Sequence, residues 1–326
     1  MKATLSIALR WLVKAILFVF VLASLNFLLI QLVPGDPALV FAGSSGAADQ
    51  QMINQIRAEF HLDRPVWAQY IDYILRTARF DLGTSFQHGR PVWDMIAERL
   101  GATLLLTGSA WGLSIAVGVA LGLVSMRYVG RWPDMLVSSL ALFLYAAPSF
   151  WLGLIFVLVF SIWLGWLPAF GVGTIGVEHS MLGAVLDKLR HLILPALTLA
   201  TFYIAIYARL MRGGLLAVAQ LDHIKTARAK GVPQIRIVTH HMIRGAILPV
   251  VTYLGFHATT LISGAVLVET VFAWPGLGRL TFDAILQRNY PLLMGILLVT
   301  SVLVILLNAL TDLLLRAVDP RTGVSA

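Results

Sequence analysis

Charged residues fall in a few short stretches of this chain, and long apolar blocks run between them. A helix rising 1.5 Å per residue needs about 20 apolar residues to cross the ~30 Å hydrocarbon core of a bilayer. Six blocks meet that length: 15–33, 103–126, one within 135–177, 192–210, 246–268 and 292–313. The stretch 135–177 holds no Asp, Glu, Lys or Arg at all. Its segment Leu164-Gly-Trp-Leu-Pro-Ala-Phe-Gly171 reads as an interfacial turn with Trp163 and Trp166 at headgroup level, so the stretch counts as one span, tilted or kinked at Pro148. The pattern predicts an all-α polytopic membrane protein with six transmembrane helices.

Between the first two spans lies a longer segment, 34–100, with helical spacing of its own. Asp49 is placed to cap a helix whose Met52, Ile53, Ile56 and Phe60 share a face. Val66, Trp67, Tyr70, Ile71, Ile74 and Leu75 then recur at helical intervals. Helices of this kind lie flat on the membrane or on the other spans. Two roles fit, a packed cap over the bundle and a docking surface for an extracytoplasmic partner, and both can hold.

Composition agrees with the pattern. Of 326 residues, 59% are hydrophobic and 12% charged, with a mean hydropathy of +0.84, which excludes a soluble enzyme and a disordered or fibrous chain. Cysteine is absent, so disulfides, thiolate metal sites and cysteine nucleophiles are all excluded. The net charge of +8 raises the question of nucleic acid, but its distribution answers differently. The segments 1–14, 127–134, 209–244 and 312–326 carry 14 basic and four acidic residues, against 10 basic and 12 acidic on the other side. By the positive-inside rule both termini and the 209–244 loop are cytoplasmic, and 34–100 lies outside. Its six Arg do not oppose this, because long loops translocate largely regardless of charge. The first apolar run is too long for a cleaved leader and is followed by a Pro-Gly-Asp-Pro turn, so it is expected to stay as an anchor.

The cytoplasmic stretch 220–249 carries the most information. Asp222 is a plausible N-cap for a short helix that Gly231 can end in the left-handed conformation, and Val232-Pro233 keeps it from restarting. A second helix is expected from near Gln234 towards Pro249. The result is a basic helix-turn-helix facing the cytosol, although the positive-inside bias alone would also account for its Lys and Arg. Elsewhere, Ala273-Trp-Pro-Gly-Leu-Gly278 can bring backbone close to a neighbour and anchor Trp274 at the outer interface; Glu269 is not taken as a substrate ligand. His257, near the middle of the fifth span, is a possible intramembrane polar site, either a packing histidine or a gating group. Asp312 and Arg316 are spaced as a local pair, and Asn26, Gln31 and Asn308 as interhelical hydrogen-bonding groups. His240 and His241 are adjacent and do not form a metal pair. There is no G-x-x-x-x-G-K-[ST] loop, no H-E-x-x-H and no G-x-S-x-G, so the chain has no visible catalytic chemistry and no phosphate loop for ATP.

A resemblance joins these observations. The segments Asp222-His-Ile-Lys-Thr-Ala-Arg-Ala-Lys-Gly231, Leu248-Pro249 and Val268-Glu-Thr-Val-Phe-Ala-Trp-Pro-Gly-Leu-Gly278 resemble the inner-membrane permease subunits of bacterial dipeptide, oligopeptide and nickel ABC transporters. So do Leu32-Val-Pro-Gly-Asp-Pro-Ala38, Pro148-Ser-Phe-Trp-Leu-Gly153, Trp166-Leu-Pro168, His191-Leu-Ile-Leu-Pro-Ala196, Asn289-Tyr-Pro291 and Asp319-Pro320, in order along nearly the whole chain. The resemblance implies a type I importer permease, multi-pass in the bacterial inner membrane and not an enzyme. Its parts would be an N-terminal end with the first span (1–33), an extracytoplasmic helical segment (34–100) and a five-helix core (101–326) with a coupling loop at 211–246. That coupling loop is the family's EAA loop, whose helix fits a cytoplasmic ATPase. Carried onto this chain it comprises Asp222, Lys225, Thr226, Ala227, Arg228, Ala229, Lys230 and Gly231. The general pattern has Glu-Ala-Ala where this chain has Lys225-Thr226-Ala227, and often Pro where it has Arg244; the peptide/nickel branch commonly carries this variant. The implied partners are a second homologous permease (a heterodimer), two ABC ATPase subunits that bind the ATP and Mg, an extracytoplasmic binding protein and the lipid bilayer, with no nucleic acid and no cofactor or metal in this chain. Peptides are the expected cargo, with nickel or a metal chelate as the alternative and a secondary transporter as the alternative outside the class. Such a transporter would more often show inverted repeats and midplane charges, and no convincing repeat is found.

Overall fold

The computed structural model describes residues 2–32, 54, 57, 63–85, 87–174, 176–177 and 180–318, with the backbone alone at 2–12, 15, 30, 254–264 and 312–318. Helices dominate, and among the described residues the only strand-like pairing is an isolated bridge between Thr84 and Pro91. Among the described residues, three helices are long and apolar enough to cross a membrane, and a fourth crossing is added if one bent pair counts as a span. The contacts divide the chain into two compact units, Met1–Leu100 with Leu280–Leu306 and Gly101–Arg279 with Leu307–Ala326.

In the first unit, α1 (Lys2–Gln31) carries α2 (Val66–Ala78) against its C-terminal turns. Phe27 packs on Tyr70 and Tyr73 with ring centroids 5.4 and 5.8 Å away, and the Ser24 and Tyr70 hydroxyls share a 2.8 Å hydrogen bond. The spacing expected at 66–75 is thus one helix that packs its half-buried tyrosine edge on α1 and leaves Val66, Trp67, Ile71 and Leu75 exposed. The helix expected from Asp49 lies outside the described residues.

The second unit is organised on α6 (Met181–Ala219), which is crossed by most of the other helices. Preceding it are α3 (Val92–Arg127), α4 (Trp132–Ala146) and α5 (Ser149–Phe156), the last running into a π-helical segment, Val157–Trp163. Gly118 and Gly122, one turn apart on α3, let that helix lie directly on α6; a Cβ at either would stand 2.7 Å from the Cβ of Tyr207 or Met211. The kink expected at Pro148 takes the form of a 111° bend between α4 and α5. Proline cannot donate to the preceding turn and disfavours helical backbone one residue earlier, and Ala147 is indeed extended (ψ 135°). Trp163 and Trp166 are both exposed. The segment between the bend and α6 is tied back by Asp187, which accepts the N–H and hydroxyl of Thr174 at 2.6 and 2.9 Å. At 39 residues, α6 would extend about 58 Å. It runs well past the 192–210 block because Asp187, Lys188 and Arg190 end the apolar run without ending the helix.

Candidate functional site

After α6, a two-residue turn, Gln220-Leu221, leads into α7 (Asp222–Ala229). Its end is a complete Schellman motif: the Val232 N–H donates to Ala227 O (3.2 Å) and the Gly231 N–H to Arg228 O (3.0 Å), with Gly231 at φ +73°. The left-handed turn expected at Gly231 is therefore present, and a Cβ there would meet nothing within 4 Å. Asp222 does not cap the helix. Leu221 is the N-cap residue, with no side-chain bond, and Asp222 is the first helical residue, where an acid needs no cap bond to favour the positive helix end. Its carboxylate instead accepts Lys225 Nζ (2.9 Å), and its carbonyl accepts the Thr226 hydroxyl (2.9 Å).

One side chain roots α7. Ile224 is fully buried in the cluster that includes Leu215 and Val218 of α6 with Ile237, Met242 and Ala246. Asp222, Lys225, Thr226, Arg228, Ala229, Lys230 and Gly231 are exposed and Ala227 half-buried, so the expected coupling residues form one polar outer surface. The chain restarts after Pro233 as α8 (Gln234–Arg236), a π-helical turn (Ile237–Met242) and α9 (Ile243–Ala246), then α10 (Leu248–Val271). Gly214 lets α6 meet α9 so closely that a Cβ would lie 2.7 Å from Ala246 O.

A second constellation stands where α10 gives way to α11 (Leu277–Leu286). Glu269 is fully buried; its Oε1 accepts the Thr103 hydroxyl (2.7 Å) and its Oε2 the Arg279 N–H (3.0 Å). Thr103 in turn accepts the Leu277 N–H (2.7 Å). The close backbone approach expected of Ala273–Gly278 is present: a Cβ on Gly276 would fall 2.1 Å from Glu269 Oε1, and one on Gly278 2.6 Å from Val266 Cα. Trp274 is not an interface anchor. It is fully buried, with Nε1 donating to Ala102 O at 2.9 Å, because the turn folds inward onto α3.

A third constellation was not anticipated. Asp134, at the start of α4, accepts Arg212 Nε and a terminal guanidinium N–H at 2.8 and 2.9 Å, the Gly130 N–H at 3.0 Å and the Ser125 hydroxyl. It lies just ahead of the uncharged stretch, and the Arg212 guanidinium, with Ser125 and Gly130, holds its carboxyl well below the usual carboxylate range. This tie joins the α3–α4 turn to α6 ten residues before α7. Only the three-dimensional path of the chain brings residues 78 positions apart together.

The remaining expected positions are scattered. His257 is on α10 and Asp312 and Arg316 on α12 (Tyr290–Val318), but their side chains lie outside the described residues, as do Pro34–Ala38 and Asp319-Pro320. Gln31 reaches Gln69 on α2 at 3.5 Å, whereas buried Asn26 Nδ2 finds no acceptor among the described residues and Asn308 is exposed.

Comparison with known proteins covers nearly the whole chain. Residues 114–324 match the family described as binding-protein-dependent transport system inner membrane component, and residues 4–107 its N-terminal membrane component. A putative peptide transport system permease protein of Brucella suis is 40% identical over 97% of this chain and 98% of its own length. The glutathione transport system permease protein of Escherichia coli O6:H1 is 38% identical (92% and 93%), and the dipeptide transport system permease protein of E. coli K12 is 36% identical (91% and 92%). Among solved structures, the inward-facing MetNI methionine ABC transporter superposes with a TM-score of 0.55 at 18% identity, covering 69% of this chain and 97% of that one, which supports the fold. The chain belongs to the family of inner membrane components of binding-protein-dependent transport systems, in its peptide-permease branch.

Proposed function

We propose that this chain is one half of the translocation path of an ATP-driven importer of short peptides, and that α7 with Gly231 is the lever through which partner ATPases move it. The observation that carries the lever is the build of α7: a rigid, Schellman-closed helix, rooted through Ile224 into the core around α6, with its polar residues all outward. A push on that surface reaches α6 and α9 through packed side chains. Cargo is taken as peptide because the relatives above are named for peptide, glutathione and dipeptide transport; nickel is not favoured.

The six-span arrangement, with both termini and 211–246 cytoplasmic and 34–100 outside, rests on the charge distribution and the apolar blocks. In this reading a binding protein delivers peptide on the outer side, two ATPases close on ATP and Mg, and α7 is displaced. A second, homologous permease supplies the other half of the path. The chain contributes the conduit and no catalytic group.

The test is ATP-dependent uptake by the complex reconstituted with its binding protein. Gly231→Val forces a β-branched residue into a left-handed turn, at about 1–2 kcal/mol, without a clash. Membrane insertion is expected to persist while uptake falls and ATPase subunits are lost from the purified complex. Unchanged uptake in that variant would count against the lever.

A further inference from the structure

Arg209 stands on α6 one turn before the Arg212 that holds Asp134. Its Cζ lies 4.8 Å from the centroid of the Tyr145 ring, and that ring stacks on Phe202 at 5.1 Å and 19°. Phe202 is seven residues earlier on α6, about 10 Å along the axis. The guanidinium therefore reaches back along the helix, away from the Asp134–Arg212 tie and towards the level of Phe202. Helical side chains lean towards their N-terminus. With the C-terminal end of α6 at the cytoplasmic face, that lean carries the charge into the span, opposite to the outward snorkelling usual for a long cation.

Among the described residues no carboxylate pairs with Arg209, and the adjoining 254–264 stretch contains no acid. Arg209 and Tyr145 are both exposed. Such a cation cannot be left to lipid tails without a large penalty, unlike the exposed Leu306 and Leu310 of α12. Behind this pair the aromatic cluster runs inward through buried Tyr203 and Tyr207 to half-buried Tyr253, with neighbouring ring centroids 6.3–6.4 Å apart, and backs the exposed Tyr145 ring.

We propose that Arg209, presented over Tyr145 and Phe202, is the cargo contact of this half-path and receives the free α-carboxylate of a peptide on the inner part of its route. The inference rests on the peptide-importer reading above. Peptides of varied sequence share only their backbone and termini, so a permissive path that holds its cargo at all has the terminal carboxylate to hold. The planar guanidinium fits it with two parallel N–H···O bonds. Stacking on a ring keeps the fork flat and partly dry, and the accessible faces of Tyr145 and half-buried Phe202 tolerate many side chains.

The experiment uses the reconstituted complex with saturating loaded binding protein and two cargoes, a dipeptide and its C-terminal amide, each first shown to occupy the binding protein. The wild type is expected to move the acid about tenfold faster, the worth of one charge-assisted contact. Arg209→Ala should bring the ratio towards one, and Arg209→Lys should keep part of the preference. An equal fall for both cargoes, or an unchanged ratio, overturns the proposal. So does a loss that follows phosphatidylglycerol content and ignores the cargo terminus, which would make Arg209 a lipid anchor. A dipeptide with a photoreactive C-terminal side chain should label Tyr145 or Phe202 during turnover, and labelling only elsewhere contradicts the contact. If the wild type moves neither cargo, the importer reading itself fails; an active wild type with an indifferent Arg209 variant sinks the contact alone.

Discussion

Gly231 and Gly278 stand in two turns made from similar residues, each with a glycine, a proline and an acid, and they are needed for different reasons. Around Gly231 there is open space, and the requirement is the positive φ that closes α7. Around Gly278 there is no space, and the requirement is the missing side chain, since Val266 Cα and Glu269 already occupy its place. The acids differ in the same way. The Asp222 side chain is 95% exposed and pairs with Lys225, whereas Glu269 is fully buried and bonded through both oxygens. One turn shapes an exposed surface, and the other joins two helices inside the chain. A search for Gly-Pro turns alone would rank them together.

That comparison can be broken by substitution. The largest effect is expected at Gly278→Val, where backbone must move; overpacking of this kind costs about 3 kcal/mol and should appear as lost folded protein and a lower thermal midpoint in detergent. Arg212→Ala comes next, at about 3 kcal/mol or somewhat less given its partial exposure, because it strands the buried Asp134. The Asp134 carboxyl is depressed in the fold, so this tie keeps its full contribution above the ordinary carboxylate range near pH 4. It loses it progressively as pH falls from there to the depressed value. A thermal midpoint that dropped between pH 7 and 5 because of Asp134 would contradict that sign.

Ile224→Ala should cost about 2 kcal/mol through the cavity it leaves, and uptake should fall further than stability because α7 loses its root. Gly231→Ala is smaller still, about 1 kcal/mol, from backbone conformation alone. The smallest change is Lys225→Ala, a few tenths of a kcal/mol at most, since its partner is exposed; any strong effect on uptake would then report a contact beyond this chain. If Gly231→Ala proved as damaging to the fold as Gly278→Val, the contrast between the two turns would be lost.

Features written in short windows were legible from the sequence. The turn at Gly231, the restart after Pro233, the helix at 66–78 and the bend at Pro148 each follow from residues a few positions apart. Features that depend on distant partners were not. Trp274 reads as an interface anchor by composition, and only Ala102, 172 residues away, makes it a buried donor. Glu269 needs Thr103, and Asp134 needs Arg212, before either has a role. Arg209 was hidden for another reason: at the edge of an apolar block it counts as one more positive-inside charge, and nothing in a linear tally gives the direction of its side chain. Asp222 was misjudged by one position, the usual ambiguity between a cap and a first-turn acid.

The central claim is that the outward surface of α7 engages the partner ATPases. The most direct measurement is the amount of ATPase retained when the tagged permease is purified in mild detergent, for the wild type and for Arg228→Glu, which reverses an exposed charge without touching the Ile224 root. Near-stoichiometric ATPase with the wild type, and its loss from an Arg228→Glu protein that keeps its thermal midpoint and its second permease, is the predicted result. Retention of the ATPases by that variant at the wild-type ratio, with full uptake, would contradict the account.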